Sequence, residues 1–254
     1  MEKIMFEEEE IPFGTLARFG LTRDMIEDLP TTELRSIYNG MVSSILPIRV
    51  ADDAGNIIKS HTRLALICKS GGDADVMFFP VLNRTDFSGF SEDEESRLIN
   101  GETIVTEMDI DENGGETLSF VQLDRGTNQL MAVPVSVLSR NISYVIDNLH
   151  LASAEAKIIK SGVPLPIMVG KEFVTVGVDL SRTSGLRISN GDIESWRNDT
   201  RRDWEKYSFG MNGCWIYDGN MYVDYIPEEK YDDEMWAEMS KRNNLLTQSS
   251  RIGR

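Results

Sequence analysis

The sequence predicts an α+β protein built from tandem modules packed together. Each module is a helix plus a three-stranded antiparallel meander, and an aromatic β-hairpin and a helix close the C-terminus. Three observations predict this. "SEDEESRLING" (91–101) and "SAEAKIIKSG" (153–162) are one helical phrase stated twice, and "TTELRSIYNG" (31–40) states it again, so that Gly40, Gly101 and Gly162 fall 61 residues apart. Similarity at a fixed period marks a repeated supersecondary unit. Each of these glycines is followed by strand-length, β-branched runs separated by Gly, Asn and Asp turn residues. Near the end, "GCWIYDGNMYVDYIP" departs from the repeat and concentrates aromatic residues.

Residues 1–30 read as a helical lead-in. Phe13, Leu16 and Phe19 have helical spacing before Gly20, Thr22 is placed to cap "RDMIEDL", and Pro30 stops it. The first module covers 31–89, with Leu34, Ile37 and Tyr38 as the apolar face of its helix. The second covers 90–150. Ser91 caps with Glu94 in the reciprocal position, acidic residues crowd the first turn, Leu98 and Ile99 supply the apolar stripe, and Gly101 ends the helix. The third covers 151–195, where Ser153, Ile158, Ile159 and Gly162 take those parts. Residues 196–254 form a degenerate module, with "TRRDWEKYSFG" as a looser fourth phrase ending at Gly210. A hairpin turning at Asp218-Gly219 and the acidic helix "EEKYDDEMWAEMSKRNN" follow. A single meander buries too little apolar surface alone, so neighbouring modules are expected to pack on each other.

Composition narrows function mainly by exclusion. The formal net charge is −16 over 254 residues. Sequence-independent binding to DNA or RNA replaces counterions with Lys and Arg, so this balance argues against it, apart from a local basic patch. The last fourteen residues, "KRNNLLTQSSRIGR", carry four cations and no acid, and read as a frayed polar tail. "MEKIMFEEEEIPFG" has no apolar core after a basic start, and no apolar run reaches membrane-spanning length. The expectation is a cytoplasmic protein, or one packaged in a phage particle, with no membrane partner. Cys68 and Cys214 lie in apolar strand-like runs and read as two buried free thiols.

Catalytic and metal motifs are missing. His61 falls on a strand and His150 at a helix entry, neither beside a nucleophile elbow, and no G-x-S-x-G, H-E-x-x-H, GxxxxGK[ST] or paired C-x-x-C occurs. Asp109, Asp111, Asn113 and Gly114 match the start of a calcium loop. Its twelfth position is Phe120 rather than Glu, and strands flank it, so the string reads as a hairpin turn. No cofactor, metal or catalytic residue is expected. The candidate partner-binding residues are Trp215, Tyr217, Tyr222, Tyr225 and Trp236, with core packing as the competing role for aromatics.

"FEEEEIPFGTLARFGLTRDMIEDL" resembles the opening of uncharacterised Bacteroidota proteins encoded on conjugative and other mobile elements, which carry paired domains of unknown function. The similarity runs on through "ILPIRV", "FSEDEESRLINGETI", "LSFVQLDRGTNQLMAVPV" and "LASAEAKIIKSGVPLPIMV". It fades near residue 188, and "SFVQLDRGTNQL" is its most specific piece. The resemblance implies a mobile-element or phage setting and no particular reaction. Those proteins have a lysine-rich hairpin after the third glycine, where this chain keeps only Lys171.

Three functional readings stay open on these grounds. One is a non-catalytic protein-binding accessory or assembly module of a mobile element or phage. Another is an acidic DNA mimic that blocks a host nucleic-acid-binding enzyme. The third is an enzyme whose site forms only in three dimensions. Module edges that can pair between chains leave a homo-oligomer open as well.

Overall fold

The computed structural model describes residues 5–52, 54–109, 115–198, 204–219 and 222–252, with side chains in the last helix as far as Arg242. Among these residues there are eight α-helices and four three-stranded antiparallel sheets. The chain is an α+β protein of repeated meanders.

The three repeated helices are α3 (Thr31–Tyr38), α4 (Glu92–Ile99) and α6 (Ser153–Lys160), each followed by a meander. These meanders are β1–β3 (Leu46–Ala51, Ile57–Cys68, Ala74–Pro80), β4–β6 (Ile104–Asp109, Glu116–Asp124, Gln129–Pro134) and β7–β9 (Leu165–Val169, Glu172–Val178, Leu186–Asn190). The N-caps Pro30, Ser91 and Ala152 keep the same 61-residue spacing as Gly40, Gly101 and Gly162. The third helix therefore begins one residue earlier than its serine suggests. Ala152 has no side-chain oxygen to offer, and only the returning Glu155 carboxylate, which accepts from the Ala152 N–H, remains of the capping box. At Gly162, φ is +85° and an added Cβ would lie 2.9 Å from the Thr103 carbonyl oxygen, so glycine alone fits.

The lead-in forms α1 (Phe13–Arg18) and α2 (Arg23–Glu27), and the Thr22 hydroxyl accepts from the Met25 N–H. Beyond the third meander come α7 (Ile193–Asn198), β10 (Tyr207–Phe209), β11 (Gly213–Tyr217), β12 (Val223–Pro227) and α8 (Asp233–Ile252). The looser fourth phrase is not a helix where it is described: residues 200–203 lie outside the described residues, Trp204–Lys206 are irregular and Tyr207 opens a strand. The expected hairpin is the second half of a meander, β10–β11–β12. Helix α8 runs to Ile252, into the stretch read as a frayed tail.

The sequence reading missed α5 (Val135–Asn148). Its Val, Ile and Tyr residues favour strands, but Pro134 ends β6 and serves as the helix N-cap, with Leu138 and Ile142 facing the core. His150 is correspondingly a helix exit: it follows the α5 C-cap Leu149 with φ +53°. Cys214 is buried, but Cys68 is exposed at the end of β2.

The chain forms two compact units, residues 1–78 with 203–254, and residues 79–202. In the first, Leu16, Leu21, Leu46, Leu64, Trp215 and Val223 share one core. Strand β12 meets the start of β1 through a parallel bridge between Ile45 and Tyr222. In the second, Phe120, Ile142, Ile159, Val176 and Val178 form the larger core, and Leu98, Ile104 and Val121 the smaller. Gln122 ties its two modules, donating to the Thr103 hydroxyl (2.5 Å) and the Val178 carbonyl (2.8 Å) while accepting from the Leu180 N–H.

The "LDRGTNQL" string is a structural hub. Asp124 accepts from the Gly126 N–H and the Thr127 hydroxyl, closing the β5–β6 turn. The Arg125 guanidinium donates to the Ile99 carbonyl at the end of α4. Thr127, Asn128 and Gln129 bond to Leu82, Thr85 and Pro80, holding the approach to the second module.

Candidate functional site

The five sequence-predicted residues all belong to the first unit but divide between core and surface. Trp215 has no exposed surface. Its indole N–H donates to the Met25 carbonyl (2.9 Å), and its ring packs against Trp204 and Tyr225. As a core residue it offers nothing to a partner. Tyr217 and Tyr225 are half-buried and pack on the same core. Tyr222 is half-buried at the β12–β1 seam, with its ring edge-on to His61 at 4.8 Å. Trp236 remains 43% exposed on α8, beside the fully buried anchor Met235.

Asp28 explains Tyr225. This buried carboxylate follows α2 and accepts from the Met211 N–H (2.6 Å), the Asn212 N–H (3.0 Å) and the Tyr225 hydroxyl (2.6 Å). It pins the β10–β11 turn to the N-terminal helices. Burial, and then the bond to Asp28, push the Tyr225 phenol far above the ordinary tyrosine range, so it stays a protonated donor. Burial raises Tyr231 similarly and pushes the Cys214 thiol up to about 12. At neutral pH Cys214 is a thiol rather than a nucleophilic thiolate. These groups act as packing and tethers.

Three half-buried aromatics lead in a continuous run to the exposed Trp236. Tyr207 stacks on Phe209 (6.0 Å between centroids), Phe209 meets Tyr231 edge-on (5.7 Å), and Tyr231 meets Trp236 edge-on (5.3 Å). Such contacts favour a fixed arrangement of rings. Glu234 ties the start of α8 to β10 by accepting from the Tyr207 hydroxyl and the Lys206 ammonium, both at 2.9 Å. The Lys206 amine is correspondingly held above the ordinary lysine range, chiefly by that bond to Glu234. Sequence reasoning missed Tyr207 and Phe209 as site members because they were assigned to a helical phrase. The aromatic content of "WEKYSFG" was the available signal.

Among the described residues, no group of three His, Cys, Asp or Glu side chains is placed to hold a metal ion. Asp111, Asn113 and Gly114 of the calcium-like string lie outside the described residues. No helix in the described part is long and apolar enough to cross a membrane.

Comparison with known proteins adds one finding. Residues 6–88 match the model of a family described as Protein of unknown function (DUF4099), so this stretch is similar to an uncharacterised domain. The match spans the lead-in and the first module. No curated protein and no solved structure matches the chain.

Proposed function

We propose that the chain is a non-catalytic protein-binding module, an accessory or assembly component of a bacterial mobile element or phage, and that the aromatic run on the first unit is its contact surface. The observation that carries this reading is Trp236, exposed at the end of a fixed run of rings and flanked by a buried anchor. Aromatic side chains held rigid at a surface bury large area at little entropic loss, which is why they dominate binding hot spots. Tyr222 contributes from the β12 side. The Bacteroidota mobile-element setting rests on the sequence resemblance and carries with it a cytoplasmic or particle-packaged location.

The test is a tagged pull-down from cells carrying the parent element, washed at low and then high salt. A partner that survives high salt and is lost with Trp236→Ala and Tyr222→Ala supports the reading. A nuclease or restriction subunit released by salt would favour the acidic DNA mimic, because screened charge rather than apolar burial would then hold the complex. Absence of any partner under both washes sinks the proposal.

A further inference from the structure

Equivalent surface positions in the three modules carry different chemistry. In each first hairpin, the fourth residue of the first strand lies directly across from a residue of the second: Arg49 from Lys59, Glu107 from Leu118, and Met168 from Phe173. All six side chains are exposed. Like charges placed directly opposite on a sheet are destabilising. The second and third modules show that the meander does not need cations at this pair.

The rest of this face is mixed. Side chains alternate faces along a strand, so Ile57, Lys59, His61 and Arg63 share one face of β2, opposite the core-facing Thr62, Leu64 and Leu66. Arg63 turns back to donate to the Ser43 carbonyl. Arg49 and Lys59 have no ion-pair partner among the described residues. At the margin, Asp224 on β12 lies 3.9 Å from His61 Nε2, and the Tyr222 ring closes that side. Beside the cations, Ile57 is 61% exposed. In a chain of net charge −16, this is a local reversal of sign next to an apolar side chain.

We propose that this face of the β1–β2 hairpin binds an extended acidic segment of a partner protein. Arg49 and Lys59 pair with its carboxylates, and Ile57 receives an apolar side chain. Charge complementarity selects the partner. A duplex carries one phosphate about every 1.7 Å, and the acidic remainder of this chain repels so dense a polymer, whereas a short peptide presents only a few charges to the patch. The inference goes beyond the aromatic surface, with which the patch shares only Tyr222 at its margin.

The experiment uses the full chain and fluorescence anisotropy with three labelled probes: a short peptide of alternating glutamate and leucine, the same peptide with glutamine for glutamate, and a thymidine oligonucleotide. The glutamate peptide should bind, weaken as salt rises, and lose about tenfold in affinity to the double variant Arg49→Glu/Lys59→Leu. That variant copies the Glu107–Leu118 pair, which the fold already carries. Failure of the glutamate peptide to bind overturns the proposal. So does equal binding of the glutamine peptide, an unchanged affinity in the double variant, or preference for the oligonucleotide. Salt-sensitive self-association abolished by the same substitutions would also overturn it, because the face would then belong to a second copy of the chain.

Discussion

Glu33 and Glu94 occupy the same place in two copies of one module, three residues after the helix N-cap, yet they meet opposite fates. Glu94 folds back over the start of α4 and accepts from the Ser91 N–H (3.0 Å) and hydroxyl (2.8 Å) in an exposed capping box. Glu33 is 2% exposed. Its carboxylate accepts from the Ser44 N–H (2.5 Å) and hydroxyl (3.0 Å), and that hydroxyl in turn accepts from the Trp204 indole N–H (2.9 Å). The difference begins with the N-cap. Pro30 has no N–H to offer a returning carboxylate, so the first-module glutamate finds its donors in the interior. One missing hydrogen turns a local cap into a long-range tie between the N-terminal helix and the C-terminal segment.

The largest expected effect follows from that tie. Glu33→Ala should lower the stability of the first unit by about 3 kcal/mol, because it strands buried donors. Glu94→Ala should lower the second unit by only about 1 kcal/mol, the ordinary scale of a cap. Urea unfolding with tryptophan fluorescence measures the pair, and equal losses would break the comparison. Ser44→Ala comes next, at about 2 kcal/mol, since both the Glu33 carboxylate and the Trp204 indole lose a partner.

The capping box can also be read through pH. The Ser91 N–H and then its hydroxyl hold the Glu94 carboxyl below its ordinary value. A depressed carboxyl pKa stabilises the fold above the unfolded-state value, and that contribution is lost as pH falls through the folded one. Ser91→Ala should move the Glu94 pKa upward, measured by NMR titration of its side-chain carboxyl. A smaller change is expected from Pro30→Ser, which restores the missing N–H. Stability should shift by less than about 1 kcal/mol, because Ser44 already holds the Glu33 carboxylate. A larger gain would mean that the buried arrangement is the weaker one. Thiol labelling at neutral pH carries no stability change at all: Cys68 should react at once and Cys214 only after unfolding, so two fast thiols would contradict the packing of β11.

The repeat was legible in the sequence because it is written in local chemistry. Capping residues, terminal glycines and alternating strands act over a few positions, and the 61-residue spacing survives in the N-caps themselves. What was not legible depends on distant partners. Nothing near Asp28 announces that it receives the β10–β11 turn, whose residues Met211 and Asn212 come more than 180 positions later. Trp215 and Trp236 look alike in sequence as aromatics, and only the fold sends one to the core and leaves the other on the surface. Helix α5 was hidden by β-branched residues whose strand preference the preceding proline overrides.

The first unit draws on both ends of the chain, while residues 79–202 form the second unit from one uninterrupted stretch. During synthesis the second unit can therefore finish folding while the first still lacks Trp215, Val223 and the donors for Asp28. At roughly 5–20 residues per second, the N-terminal segment waits on the order of ten seconds on the ribosome, with Leu16, Leu21 and Leu64 short of their final partners. A chain stopped before residue 211 would thus leave Leu16, Leu21 and Leu64 without Trp215 and Val223, and Asp28 without its donors, while the second unit is already complete.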